Sequence, residues 1–232
     1  MLNRMGRSLL IATFVCALAT TPVTASTAPR SLFEELATAA PALDRNVLRK
    51  AIGAMSCALD QGIEAAKRLA VIDFSLPSSV SRLWIFDLEE RALVLQELVA
   101  HGQGSGDNFA TEFSNVSGSH QSSIGLFRTQ ESYMGRHGYA LRMDGLERGV
   151  NDLARARAIV IHGADYVAHD WIEHQGRIGR SHGCPAVRQE IAGAVVDELK
   201  DGQFLFSYYP DPNWLADSKY LNCRATGAPS RG

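Results

Sequence analysis

The sequence predicts an α+β fold in which strands dominate: a mixed sheet or sandwich, preceded by a helical extension and carrying one more helix late in the chain. Three observations lead there. Helical periodicity with capping signals is confined to residues 29–65 and to a stretch after Cys184. From Leu69 the period changes, and short β-branched or aromatic runs follow one another across Ser/Pro-rich or charged turns. Consecutive strands with short connections indicate an antiparallel or mixed meander, not alternating βαβ units.

Residues 1–25 read as a secretory signal. Arg4 and Arg7 precede an apolar run from Ser8 to Ala19, and Val23-Thr24-Ala25 is a small-residue cleavage site. The run is too short to span a bilayer, so export without stable membrane insertion is expected. A retained N-terminal anchor is the alternative. Val15 before Cys16 argues against lipidation there. Without this leader the chain has 21 basic and 25 acidic residues, a formal charge of −4. That balance argues against nucleic acid as a partner, because a phosphate-binding surface needs clustered Lys and Arg.

Residues 29–65 form the helical extension. Ser31 is an N-cap with Glu34 three residues on, Leu43, Val47, Ala51, Ala54 and Ala58 make an apolar face, and Pro41 divides the stretch in two. The main domain is expected over residues 69–210. Ala70 to Phe74, Leu83 to Asp87 and Ala92 to Ala100 are strand-like, and Trp84 and Phe86 suit a sheet core. His101 to Tyr139 is rich in Gly, Ser and Asn, with strand character only around Ser123 to Thr129; so long a loop in a compact domain is usually functional or disordered.

Ala158 to Ile161 is a buried-strand run ending at His162, with Gly163 next. Gly179 to Pro185 follows, and then Val187, Ile191, Val195 and Leu199 recur every four residues. This spacing predicts a helix from Pro185 to Lys200 with Cys184 at its N-cap. A thiol there is favoured as thiolate by the helix dipole. If Cys184 and His162 meet, they are a nucleophile and its general base, with the Gly183 and Cys184 N–H groups as oxyanion donors. His182 is the other candidate base. Phe204 to Tyr209 reads as a last strand, and residues 211–232 as an irregular tail.

Cys57, Cys184 and Cys223 remain after export, an odd number. The economical partition pairs Cys57 with Cys223 and leaves Cys184 reactive, although Cys57 on a helix could equally be a small buried hydrophobe. His162, His169, His174 and His182 lie close in sequence but match no zinc pattern, so no metal is expected.

His162-Gly163 at a strand end, followed at a distance by Ser181-His182-Gly183-Cys184, resembles the L,D-transpeptidase catalytic domain of bacterial murein cross-linking enzymes. It looks most like the branch in which a proline, here Pro185, follows the cysteine. The resemblance spans roughly Leu69 to Tyr209 and implies an L,D-transpeptidase-like β-rich fold with the cysteine beside a helix. It also implies roles: Cys184 as nucleophile, His162 as base, Gly163 as the carbonyl that orients the imidazole, and the backbone of His182, Gly183 and Cys184 around the oxyanion. Ala186 stands where the family often has a basic or polar residue. The implied substrate is the peptidoglycan stem peptide, with an amine on a second stem or on a protein as acceptor and no cofactor. Arg180 and Ser181, with Ser123 and Tyr133 from the long loop, are the candidate substrate contacts; Arg177, Ser122 and His137 are weaker ones. The alternatives are hydrolysis of the same thioester, by a carboxypeptidase or endopeptidase, and a non-catalytic murein-binding protein.

Overall fold

The computed structural model describes residues 30–223; the expected secretory signal lies outside them. The extension is two helices, α1 (Leu32–Ala39) and α2 (Arg45–Asp60). Ser31 Oγ accepts from Glu34 N–H at 3.3 Å, as the capping spacing predicts. Asp44 caps α2 by accepting from the N–H groups of Asn46 and Val47.

Eight strands form one mixed sheet: β1 (Arg68–Asp73), β2 (Leu83–Asp87), β3 (Ala92–Glu97), β4 (Gly125–Gly135), β5 (Gly138–Gly145), β6 (Val160–Ala164), β7 (Ala186–Arg188) and β8 (Phe204–Tyr208). Their spatial order is β3-β2-β1-β8-β4-β5-β6-β7. The β1/β8 and β6/β7 pairs are parallel and the others antiparallel.

The two edges of the sheet come together. Ala100, just past β3, donates its N–H to Ala186 O at 2.8 Å, and the Arg188 guanidinium grips the buried Glu97 carboxylate through Nε (2.9 Å) and Nη2 (2.5 Å). The sheet is therefore nearly a closed barrel, which leaves little open edge.

Alternation along the central strands separates two cores. Leu69, Val71, Trp84, Phe86, Phe204 and Phe206 pack outward against α1 and α2. Ala70, Ile72, Leu83, Ile85 and Leu205 point inward to meet Phe127, Ile161 and Val187. Strands covered on both faces read as unbroken apolar runs, which is why β1, β2 and β8 stood out in the sequence.

Three expectations are corrected. The helix predicted from Pro185 is instead β7, a 3-10 turn (Gln189–Ile191) and then α4 (Ala192–Leu199). Its four-residue apolar spacing arises because Val187 enters the barrel from a strand while Val195 and Leu199 enter from the helix. The long loop ends at the β4–β5 hairpin, whose polar far half carries no apolar alternation. Beyond Pro210 the chain is not simply irregular: Asp211 caps α5 (Pro212–Asp217), and Trp214 buries its ring in the outer core. Asp211-Pro212 is an N-cap followed by a first-position proline, a helix-start signal present in the sequence. The buried Glu147 carboxylate then accepts from Leu126 N–H (2.9 Å), Trp214 Nε1–H (3.1 Å) and Ser218 O–H (2.6 Å), tying this segment to β4. A short helix, α3 (His169–Gln175), follows β6.

Cys57 and Cys223 are joined by a disulfide across a sequence separation of 166, with Cα atoms 5.8 Å apart. A cross-link around so long a loop removes much unfolded-state entropy. Replacing both cysteines with alanine is expected to cost roughly 3–5 kcal/mol, read as a lower denaturant midpoint. The parent should lose the same amount when reduced, and the double variant should not respond to reductant.

Candidate active site

The parallel β6/β7 ladder sets the site. His162 is paired with Ala140 of β5 on one side and Ala186 of β7 on the other. Cys184 stands two residues before that partner. Its Sγ receives the Val160 N–H at 3.4 Å and donates to Ala158 O at 3.7 Å. The sulfur thus lies against the start of the strand that carries His162. The strand runs two residues past His162, so the imidazole is within β6 and not at its end. Cys184 is the free cysteine among the described residues and is half-buried.

The His162 ring is nearly enclosed, at 3 % exposure. Its Nδ1 lies 2.8 Å from Gly163 O. A carbonyl only accepts, so Nδ1 carries the proton and Nε2 keeps its lone pair. Burial pushes the His162 pKa below its ordinary value; the Gly163 carbonyl opposes this, while the nearby His137 and Arg136 add to it. The imidazole is therefore a neutral base. Burial pushes the Cys184 thiol up; the Val160 N–H and the guanidinium groups of Arg157 and Arg136 pull the other way. Among the described residues no helix N-terminus meets the sulfur, since α4 starts only at Ala192, so the dipole stabilisation expected from the sequence is withdrawn.

The loop before the thiol is locked from within. Ser181 Oγ donates to Cys184 O at 2.6 Å and accepts from Gly183 N–H at 3.0 Å. Gly183 O accepts from Ser122 Oγ at 3.0 Å. Gly183 N–H is thus already engaged by Ser181 Oγ, and Ser181 is buried and bonded on both sides within the loop. Gly183 has φ 122°, and a Cβ there would come within 2.8 Å of Gln121 O. The His182 ring is exposed and stacks on His120, centroids 4.4 Å apart.

The remaining candidates fall elsewhere. Ser123 is buried, donating to Ser114 O and accepting from Arg157, and with Ser122, Gly183 and Pro185 it lines a small interior cavity. Arg180 bonds Gly106 O at 2.8 Å and shares Asp107 with Arg177, which commits both arginines. Tyr133 pairs with Ala140, which pairs with His162, placing it on the same sheet face about 10 Å away, under the Arg142 guanidinium. Arg136 and Arg157 carry no motif that singles them out in the sequence, yet both stand near the thiol. His137, a weaker candidate, stacks its ring on His162 at 4.6 Å from the tip of the β4–β5 hairpin. Beside it, Arg136, Gly163, Asp165, Tyr166 and Gln189 line a groove of about 530 Å³. Burial pushes the Tyr166 phenol up to about 12, so it is uncharged. Among the described residues no group of three or more His, Cys, Asp or Glu is placed to hold a metal.

Beneath the loop lies a buried polar prop. Arg82 spans Val99 O and Leu76 O, and its Nη2 is 2.7 Å from His101 Nδ1. Arginine only donates, so His101 must accept there and stay neutral. Burial first, then the Arg82 charge, lowers its pKa to about 3. His101 O in turn accepts from Ser181 N–H at 2.9 Å.

A strand-borne imidazole and a loop-borne thiol on neighbouring strands of one mixed sheet are the layout of a cysteine-bearing, β-rich catalytic domain. The family described as L,D-transpeptidase catalytic domain matches residues 39–208, and the chain belongs to that family. The match starts at the end of α1, so it takes in α2 of the extension. No curated protein matches the chain. Among solved structures it is similar to an L,D-transpeptidase from Mycobacterium smegmatis (14 % identity, TM-score 0.39, covering 62 % of this chain and 60 % of that one). Another is an L,D-transpeptidase from Mycobacterium tuberculosis (13 %, 0.36, 62 % and 58 %). A third comes from Stackebrandtia nassauensis (11 %, 0.37, 78 % and 77 %). The chain thus spans less than two thirds of the length of the mycobacterial structures.

Two outcomes are expected. Gly183→Ala should lower stability by about 1–3 kcal/mol in denaturant titration, because the new methyl meets a backbone oxygen at a positive φ. A neutral His101 in the fold means that the unfolded chain alone takes up a proton as pH falls from about 6.5 to about 3, so stability drops across that window. In His101→Asn, whose Oδ1 can replace Nδ1 as acceptor, melting temperatures measured at pH 7 and in acid should lie closer together than in the parent.

Proposed function

We propose that the protein is an exported L,D-transpeptidase acting on peptidoglycan stem peptides, with Cys184 as nucleophile and His162 as general base. The observation that carries this is the pairing of His162 with Ala186, two residues beyond a free thiol, together with an Nδ1 proton committed to Gly163 O.

In this reading Nε2 of His162 takes the thiol proton as Sγ attacks the carbonyl of the diaminopimelate residue that precedes a terminal D-alanine. The tetrahedral oxyanion takes the Cys184 N–H, since the Gly183 N–H is engaged. The C–N bond breaks, the D-alanine nitrogen takes the proton from His162, and a thioester remains. An acceptor amine then attacks the thioester, gives a proton to His162, and releases the sulfur, which recovers that proton. Neither metal nor organic cofactor enters these steps. The groove beside His137 suits the acceptor, and Arg136 at its rim takes over the carboxylate-binding role expected of Arg180. Such a groove favours an amine over water, because it gives a second stem a wall to lie on.

The purified protein incubated with tetrapeptide muropeptides should yield dimers joined through diaminopimelate, read by mass. Tripeptide monomers alone would mean hydrolysis, the carboxypeptidase alternative. Cys184→Ala should yield neither product; activity equal to the parent would exclude this mechanism, and an inactive parent that binds murein would leave the binding-protein reading. His162→Gln should lower kcat/KM by about 10²- to 10⁴-fold with little change in KM.

A further inference from the structure

Arg157 has no part in the chemistry above, yet its surroundings are incomplete without an anion. Its guanidinium is half-buried, and all four of its side-chain hydrogen bonds go to neutral acceptors. Nη1 reaches Ser114 O and Ser123 Oγ (2.6 Å), while Nη2 reaches Gln121 O (2.6 Å) and Ser119 Oγ (3.3 Å). Among the described residues it makes no ion pair. A cation partly withdrawn from water without a counter-charge is costly.

Two paths connect it to the sulfur. The next residue, Ala158, sits at φ 55° and presents its carbonyl to Cys184 Sγ at 3.7 Å. The Gln121 carbonyl held by Nη2 is the same oxygen that leaves no room for a Cβ on Gly183. Arg157 thus borders the thiol on the strand side through its neighbour Ala158, and its guanidinium is fixed on the loop side through Gln121 O. The imidazole cannot take its place at rest, because burial keeps His162 neutral. Arg136 also favours a thiolate, but it stands at the exposed hairpin tip and lowers the basicity of His162 as well. The other titratable groups around the thiol are His162 from β6, His137 from the hairpin tip, Tyr166 after β6, His182 from its own loop and His120 from the facing loop. None of these is a fixed cation.

We infer that Arg157 is the positioning residue that supplies the counter-charge of the Cys184 thiolate, held in place by the 114–123 loop. The inference rests on Cys184 being the nucleophile proposed above. When the thiol proton passes to His162, the new negative charge on Sγ is in the field of a guanidinium whose hydrogen bonds are already made, so little reorganisation is needed. The two carbonyls and two hydroxyls of the 114–123 loop thereby hold the cation at the sulfur without neutralising it.

The test is the rate at which iodoacetamide alkylates Cys184, followed by the mass of the peptide that bears it, between about pH 6 and about pH 11. Arg157→Gln should react roughly tenfold more slowly than the parent at neutral pH, reach the same limiting rate at alkaline pH, and show its midpoint displaced upward. Arg157→Lys should recover most of the neutral rate. Ser119→Ala combined with Ser123→Ala removes two of the bonds that hold the guanidinium but keeps its charge, and should leave the pH profile unmoved. The inference is overturned if Arg157→Gln has the parent's profile, or if the serine variant shifts as far as Arg157→Gln, which would make loop order the cause. Should Arg157→Gln fail to fold, Arg157→Met takes its place with the same two outcomes: an upward-displaced midpoint supports the charge role and the parent's profile removes it. Muropeptide turnover by the parent is measured separately, so a failure of the proposed activity is distinguishable from a failure of the role given to Arg157.

Discussion

The site depends on one pairing register. His162 lies beside Ala186 in a parallel ladder, and this ladder, with the Val160 N–H bond to Cys184 Sγ, brings the strand carrying the imidazole to the loop carrying the thiol. A shift by one residue would turn the imidazole to the other face of the sheet. β7 is only three residues long, so its own ladder is a weak guarantor of that register. The barrel seam reinforces it. Ala100 N–H bonds Ala186 O, Arg188 grips the buried Glu97, and Gln103 N–H bonds Ser181 O, so β7 and the loop before it are held from the far edge of the sheet as well as from β6. The near-closure of the barrel is therefore part of the active-site geometry.

Around that register the polar groups are arranged so that few are free. Ser181, Ser122 and the Gly183 N–H are all spent holding the loop, and Arg177 and Arg180 are spent on Asp107. Under the proposed mechanism, the groups among the described residues that are left to react or to bind are the thiol, Nε2 of His162, the Cys184 N–H and the hairpin tip. Burial sets the resting protonation: it raises the thiol and lowers the imidazole, which leaves a neutral pair and makes neighbouring cations decisive for the charged one.

Much of this was legible in the sequence because the informative residues were local. Ser31 with Glu34, the apolar runs of β1, β2 and β8, and the His162-Gly163 and Ser181 to Pro185 motifs each carry their meaning within a few residues. The features that stayed hidden depend on partners far along the chain. Val187, Val195 and Leu199 share a helical spacing but reach the core from a strand and a helix, a distinction that only the pairing of β7 with β6 makes. Ser123, Ser181 and Arg180 are polar loop residues by sequence and could face solvent or the interior; the partners that turn them inward are Ser114 and Arg157, Cys184 and Gly183, and Gly106 with Asp107. Arg157 looks like any surface arginine until the 114–123 loop folds over it. The Asp211-Pro212 signal was readable, and it was outweighed by the polar composition of the residues after it.

The bond between Cys57 and Cys223 also constrains the order of assembly. Its two sulfurs lie 166 residues apart, one on α2 and the other beyond α5, so the bridge closes only after the whole sheet between them has been made. Until then Cys184 is the competing thiol among the described residues, and a bridge from Cys57 to it would form a shorter, wrong ring. The closing of the barrel, which draws Cys184 into a half-buried niche, would then act as a proofreading step for oxidation, leaving Cys223 as the thiol free to meet Cys57.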